Sequence, residues 1–275
     1  MMTCASAHNA IGPNGLTVAI SCVLFASLAV FTPKTVASPA TPPTTTPVAT
    51  SGKIPAGTIL PVVLDSSLSF ETAKSGHVLA GKIAQDVPLP DGSKIRRGSA
   101  VQGHVVEVVA SSSGPKVTIR FDRVRIDGAW VPITTDLRAI AGFVSVQQAH
   151  VPIEAPGEGS PYEWLPTSQI GGDTVYGLRG PVMSGQNPSE VIGESVPNGV
   201  LAKISAKESC RGNIDNSNQR QALWVFSGDA CGVYGIGHLK IEHAGRTDPE
   251  GSIILAAENH NVKLSGGDGV LLRVD

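Results

Sequence analysis

The chain has 275 residues, 41% of them hydrophobic and 16% charged, and Lys+Arg 21 against Asp+Glu 23 gives a formal net charge of -2. Such a length buries a real core, and at roughly 100–200 residues per domain it points to two domains. With no basic field for phosphates and only 4% aromatic residues for base stacking, the composition argues against nucleic acid as a partner.

Gly 31 and Pro 20, together with many short Val- and Ile-rich runs, favour strands and turns over long helices. The expected fold class is therefore mainly β. At the N-terminus, residues 16–31 (LTVAISCVLFASLAVF) form an uninterrupted apolar run. Thr35-Val36-Ala37 then offers the small residues that signal peptidase uses before Ser38, so residues 1–37 read as a signal peptide. An N-terminal membrane anchor is the alternative. Residues 1–15 lack Lys and Arg, Lys34 lies beyond the run, and the run falls just short of the ~17–25 residues of a spanning helix. Cys22, in Ala19-Ile20-Ser21-Cys22, makes a poor lipid-attachment motif and reads as an ordinary member of the run. Residues 38–53 (SPATPPTTTPVATSGK) space Pro among Thr and Ala with no apolar period, the pattern of an extended, polyproline-like tether.

Residues 54–136 read as a barrel-like module of short antiparallel strands. Val62 and Leu64, then Leu68 and Phe70, flank Asp65-Ser66-Ser67, and residues 78–84 form a further strand. Asp91-Gly92 and Asp127-Gly128 are hairpin signals, because a two-residue turn needs φ > 0 and these residues tolerate it. Residues 100–109 carry apolar side chains in both phases and are expected to be a central strand covered on both sides. Val117, Ile119 and Phe121 alternate with polar residues, after which Val124 and Ile126 shift phase, so a bulge is expected near Asp122-Arg123.

Taken in order, Ile54-Pro55-Ala56-Gly57-Thr58, the strand pair, the turn into Gly98-Ser99, the Gly103-containing strand and Arg120-Phe121-Asp122-Arg123-Val124 before Asp127-Gly128 resemble the TrbI-type β-barrel domain. In that family the domain serves the outer-membrane channel of conjugative type IV secretion systems. Over 54–133 the resemblance implies a barrel-like fold and an envelope location. It carries no functional residues, and the family's long helical hairpin has no apolar counterpart after Ile133.

Residues 137–150 (LRAIAGFVSVQQAH) suit a strand or a short helix, and Pro152, Pro156, Gly157, Gly159 and Pro161 mark 137–161 as a linker or loop. From 162 to 275 the texture is again β, and a sandwich is the economical packing. Residues 222–226 (ALWVF) read as a buried strand, residues 233–241 as an alternating one, and residues 262–264 as the partner of 270–274.

Of 4 Cys, Cys4 and Cys22 lie in the leader, which leaves Cys210 and Cys231 as a pair expected to form a disulfide in an oxidising compartment. A reactive thiol at Cys231 is the alternative, but no cationic or helix-terminal setting is evident in its surroundings.

No spacing in the chain names a catalytic or metal site. His238 and Glu242 share a strand face while His243 points the other way, and further ligands would have to come from His104 or His260. Ser113-Gly114-Pro115-Lys116 matches S-x-x-K, yet Gly-Pro forbids the helix that motif requires. Asp215-Asn216-x-Asn218 lacks the glycine and terminal glutamate of a calcium loop, and Gly235-x-Gly237 lacks the third glycine of a dinucleotide loop. No catalytic residue, metal ligand or cofactor is therefore expected. The expected role is that of an exported, non-catalytic envelope protein in the periplasm, outer envelope or medium, binding another envelope protein or polymer. One alternative is a wall-polymer hydrolase drawing carboxylates from distant strands, with Asp173, Glu190, Glu194 and Asp229 as candidates; the other is a subunit related to the secretion channel.

Overall fold

The computed structural model describes residues 54–110, 114–154, 161, 164–205, 210, 219–258 and 262–275. The leader, the tether, Ser113 and the Asp215–Asn218 run lie outside the described residues. The chain falls into two units, and the second, Ala49–Asp275, is a single compact one.

The first stretch supplies β1 (Ile59–Leu64), β2 (Leu68–Ser69), β3 (Val78–Ile83), β4 (Val87–Pro88), β5 (Lys94–Ile95), β6 (Ala100–Val109), β7 (Lys116–Ile126), β8 (Ala129–Pro132) and β9 (Thr135–Ala141). A short helix α1 (Phe143–Gln148) follows, so 137–150 is both a strand end and a helix. After it come β10 (Pro166–Ser168), β11 (Thr174–Tyr176), β12 (Pro181–Met183), β13 (Val191–Val196), β14 (Gly199–Lys203) and β15 (Arg220–Ala222). The chain ends with β16 (Gly232–Tyr234), β17 (Leu239–Ile241), β18 (Ile253–Ala257), β19 (Lys263–Leu264) and β20 (Gly269–Val274). The mainly β class is as the composition predicts.

The expected boundary between two β domains is corrected by the strand pairing. One ten-stranded sheet runs β16-β9-β20-β1-β3-β6-β7-β18-β17, with β8 added on β7. Its C-terminal strand β20 sits between β1 and β9, and β18 pairs with β7. Residues 262–264 accordingly pair with β2 and not with 270–274. Residues 233–241 are two strands, at opposite edges of the sheet. The physical reason is burial on two faces. Leu60, Val62, Leu137, Ile140, Val270 and Leu272 enter one core, while Ile59, Ala139, Ala141 and Leu271 from the same three strands enter a second. A strand this apolar needs neighbours on both sides and cover on both faces.

The large sheet rolls on itself. Its edge strands β16 and β17 are consecutive in sequence, and the four intervening residues reach across at most about 17 Å. Among the described residues β16 and β17 share no ladder, so a chain connection, not a hydrogen-bonded seam, brings the roll round. Inside it, Val101 and Val105 face Val117, Ile119, Phe121 and Val124. The bulge expected near Asp122-Arg123 is present: Gln102 pairs with Arg123 and Gly103 with Phe121, leaving Asp122 as the extra residue that resets the phase. Asp127-Gly128 closes the β7–β8 hairpin with φ of 48° and 87°. The strand 100–109 is central as expected but alternates buried and less buried residues, so only one face is covered.

The second core lies between β9, β20 and β1 and a smaller six-stranded sheet in the order β10-β11-β12-β13-β14-β15. Sheet-on-sheet packing expected within 162–275 is thus made against the large sheet. The small sheet also rolls. Past its edge strands, Ile170 N–H donates to Val225 O at 2.8 Å and Ser227 N–H to Ile170 O at 2.9 Å, a parallel bridge that stitches the two ends together. Among the described residues no helix is long and apolar enough to cross a membrane.

Candidate functional site

The six-stranded roll has two ends, and they differ in chemistry. At one end, where β11 and β13 finish and β14 begins, a cleft of about 320 Å³ opens, walled by Leu165, Val175, Leu178, Val200, Trp224 and Val225, with Ala149 and His150 contributed from just beyond α1. At the other, where β11 and β13 begin and β12 and β14 end, a polar recess is lined by Asp173, Gln186, Glu190, Lys203 and Asp229.

Trp224 organises the first end. Residues 222–226 do not continue β15 as a strand, because Trp224 has φ +55°, a region that costs a bulky L-residue and persists only where its surroundings enforce it. Gln85, fully buried just after β3, provides one half of that enforcement. Its Oε1 accepts from Trp224 N–H at 2.7 Å and Val200 N–H at 3.1 Å, and its Nε2 donates to Val200 O at 2.8 Å. Gln169 provides the other half, Nε2 donating to Trp224 O at 3.3 Å and Phe226 O at 2.8 Å. The backbone at Gly199 runs so close that a Cβ there would lie 2.1 Å from Gln85 Oε1 and 2.8 Å from Trp224 Cα, hence the Gly after Asn198 in the β13–β14 turn. The indole lies against Gly269 of β20, where a Cβ would stand 2.9 Å from Cζ3. Phe226 meets the indole edge-on with ring centroids 6.4 Å apart, and the His150 ring lies 6.3 Å away. Burial holds the His150 imidazole below its usual pKa, favouring the neutral ring.

Gln169 is only 5% exposed, and its Oε1 has no partner. Because two carbonyls claim Nε2, the amide orientation is set by its own neighbours. That oxygen is buried, and the cleft that Gln169 helps to line is mostly apolar but also takes in Thr167, Ser195 and Asn198. Leu178 stands on its rim, 67% exposed.

At the polar end the buried side chains are fully engaged. Asp173 Oδ1 accepts from Gly185 N–H at 2.8 Å and Oδ2 from Gly228 N–H at 2.7 Å. Asp229 accepts from Ser227 Oγ at 2.7 Å and Gln186 Nε2 at 3.1 Å. Burial pushes the Asp173 carboxyl above its ordinary range, with the Asp229 charge adding to the rise, against the two N–H bonds that pull it down. Of the four carboxylates considered from the sequence, Asp173, Glu190 and Asp229 thus share one recess. Glu194 does not; it pairs with Arg220 at 2.8 Å on the exposed side of β13. These buried carboxylates act as ties between loops.

The other sequence candidates fall elsewhere. Cys210 and Cys231 form the expected disulfide, with Cα atoms 5.8 Å apart. His238 pairs with Glu258, and Glu242 with Lys116. His104 Nδ1 lies 2.7 Å from Asp122, and His260 lies outside the described residues. Among the described residues no group of three or more His, Cys, Asp or Glu side chains is placed to hold a metal. Gln85, Gln169 and the backbone of Trp224 are what sequence reasoning missed. A buried Gln leaves no periodic signature, and only Asn198-Gly199 hinted at a close approach. Neither a protein-family model nor a curated protein matches the chain.

Proposed function

We propose that the protein is exported and acts in the cell envelope as a non-catalytic binding protein, with the apolar cleft of the small roll as its binding surface. The observation that carries this reading is the cleft itself. Its floor is a strained Trp224 held from both sides by buried Gln side chains, the kind of enforced local geometry that clusters at functional sites. The disulfide supports the compartment, since such bonds persist where the surroundings are oxidising. The likeness of 54–133 to the TrbI-type domain supports the same location.

Fractionating the native host tests it. The expected result is a chain beginning at Ser38, or anchored through 16–31, in the envelope fraction, with Cys210 and Cys231 bonded on non-reducing mass analysis. A full-length chain in the cytosol with both thiols free would refute export. For binding, a photoreactive residue at Leu178 should give a discrete cross-linked product that the same group at exposed Trp130 does not. Equal labelling from both positions would remove the cleft from the proposal.

A second reading, hydrolysis of a wall polymer, is favoured by the convergence of Asp173, Glu190 and Asp229 and by the raised Asp173 carboxyl. It requires measurable release of sugars or peptides from purified wall, abolished in Asp173→Asn while the protein stays folded.

A further inference from the structure

A formal net charge of -2 over the whole chain conceals a local concentration of cations. Pairing of Val101 with Val124 and of Gln102 with Arg123 sets the turn that enters β6 beside the hairpin turn between β7 and β8. Between the two turns lies a recess of about 380 Å³ lined by Lys94, Arg96, Arg97 and Arg125, with Asp127 as the one carboxylate among its lining residues. We propose that this recess is a second binding site, for a phosphomonoester group such as the head of a phosphorylated sugar or lipid. It shares no residue with the apolar cleft and stands whether or not the cleft binds.

The turn that presents these cations is fixed by its backbone. Arg97 N–H donates to Asp86 Oδ1 at 2.8 Å, Gly98 N–H to Ile83 O at 2.8 Å and Ser99 N–H to Arg96 O at 3.0 Å. On the neighbouring hairpin Arg125 Nε donates to Gly128 O at 3.2 Å, tying that guanidinium to its own turn. Arg96 and Arg97 are exposed, and among the described residues neither guanidinium has a hydrogen bond or ion pair. Their donor forks are left to solvent or a ligand.

Charge selects that ligand. Asp86, beside the recess, ion-pairs Lys94, and its carboxyl is held below its ordinary range by the Arg97 N–H, by Lys94 and by the Arg96 charge. The neighbourhood thus already stabilises negative charge. Setting Asp86 and Asp127 against the four cations leaves two positive charges uncompensated. A phosphomonoester carries about −1.5 to −2 at pH 7 on three acceptor oxygens, which Arg engages in pairs. A carboxylate or a sulfate ester brings a single charge, and a neutral sugar none.

The test titrates the full chain at low ionic strength with glucose 6-phosphate, glucose 6-sulfate and glucose, following the Gly98 and Gly128 amides by NMR. The phosphate should bind about threefold more tightly than the sulfate, and glucose should shift neither amide. Because the second phosphate pKa lies near ~6, that advantage should disappear at about pH 5. Arg96→Gln combined with Arg97→Gln should weaken the phosphate about fivefold, whereas Lys263→Gln, at an exposed cation on β19, should not. Arg125→Gln should weaken it from the other turn. Phosphatidylcholine vesicles containing phosphatidic acid carry the same group on a lipid. Co-sedimentation with them that the double variant loses assigns the site to a lipid head, and its absence beside glucose 6-phosphate binding assigns it to a soluble ester. Equal affinity for phosphate and sulfate would overturn the phosphomonoester assignment. Phosphate binding that neither variant weakens, or no shift at either amide, would overturn the site itself.

Discussion

The two ends of the six-stranded roll are built from the same strands yet treat their polar groups in opposite ways. At the acidic end, both oxygens of Asp173 and both of Asp229 accept hydrogen bonds from neighbouring loops. At the apolar end, Gln85 is consumed in holding Trp224 and Val200, but Gln169 Oε1 is buried without a partner. Polarity alone is thus a poor guide to function. Carboxylates gathered in a recess can serve as ties between loops, as Asp173 and Asp229 do, while a mostly apolar end can still bury an acceptor that no described residue meets.

Perturbing each end should sharpen this contrast. The largest effect is expected from Trp224→Ala, which empties the floor of the cleft and costs about 3–5 kcal/mol in chemical denaturation. Because Trp224 has φ +55°, Trp224→Gly should be better tolerated than Ala by about 1 kcal/mol. The reverse order would mean that the backbone at Trp224 is not enforced. Next is the tie beside the acidic end, where Cys231 follows Asp229 by two residues. Cys231→Ser should lower stability by about 3 kcal/mol through the freed loop, and reduction of the wild type should reproduce that loss.

Asp173→Asn withdraws one acceptor from a site where two buried N–H groups depend on the carboxylate, and should cost about 1–3 kcal/mol. A neutral result would undo the assignment of Asp173 as a loop tie.

The smallest effects are in pH, and they have opposite signs. The Asp173 carboxyl titrates above its usual 3.8 in the folded chain, so its contribution favours folding at low pH and is lost as pH rises through the folded value. The His150 imidazole titrates below 6.5 in the folded chain, so its contribution is present above 6.5 and is lost as pH falls below it. In thermal melts across pH, Asp173→Asn should remove only the first trend and His150→Gln only the second. Both trends surviving both substitutions would show that other groups control them.

How much of this was legible in the sequence varies by residue. The Asp127-Gly128 hairpin and the Asp122 bulge follow from turn chemistry and from a break in apolar phase, both local signals. The disulfide followed from counting. The convergence of Asp173, Glu190 and Asp229 was conceivable but not derivable, because the three come from the starts of two strands and a loop after β15. Gln85 and Trp224 are 139 residues apart, and nothing in their neighbourhoods announces the other.

By itself, the amino-acid sequence determined the class of the elements and many of their ends, since alternation, Gly and Pro act over a few residues. It also determined that a pair of cysteines was available to bond. Only the tertiary structure decided that β20 threads between β1 and β9, merging two apparent domains into one body, and that Gln169 is left with an unmet acceptor. Strand alternation specifies which face of a strand is apolar, not which neighbour will cover it. That choice, and the hydrogen bonds that follow from it, are made between residues far apart in the chain.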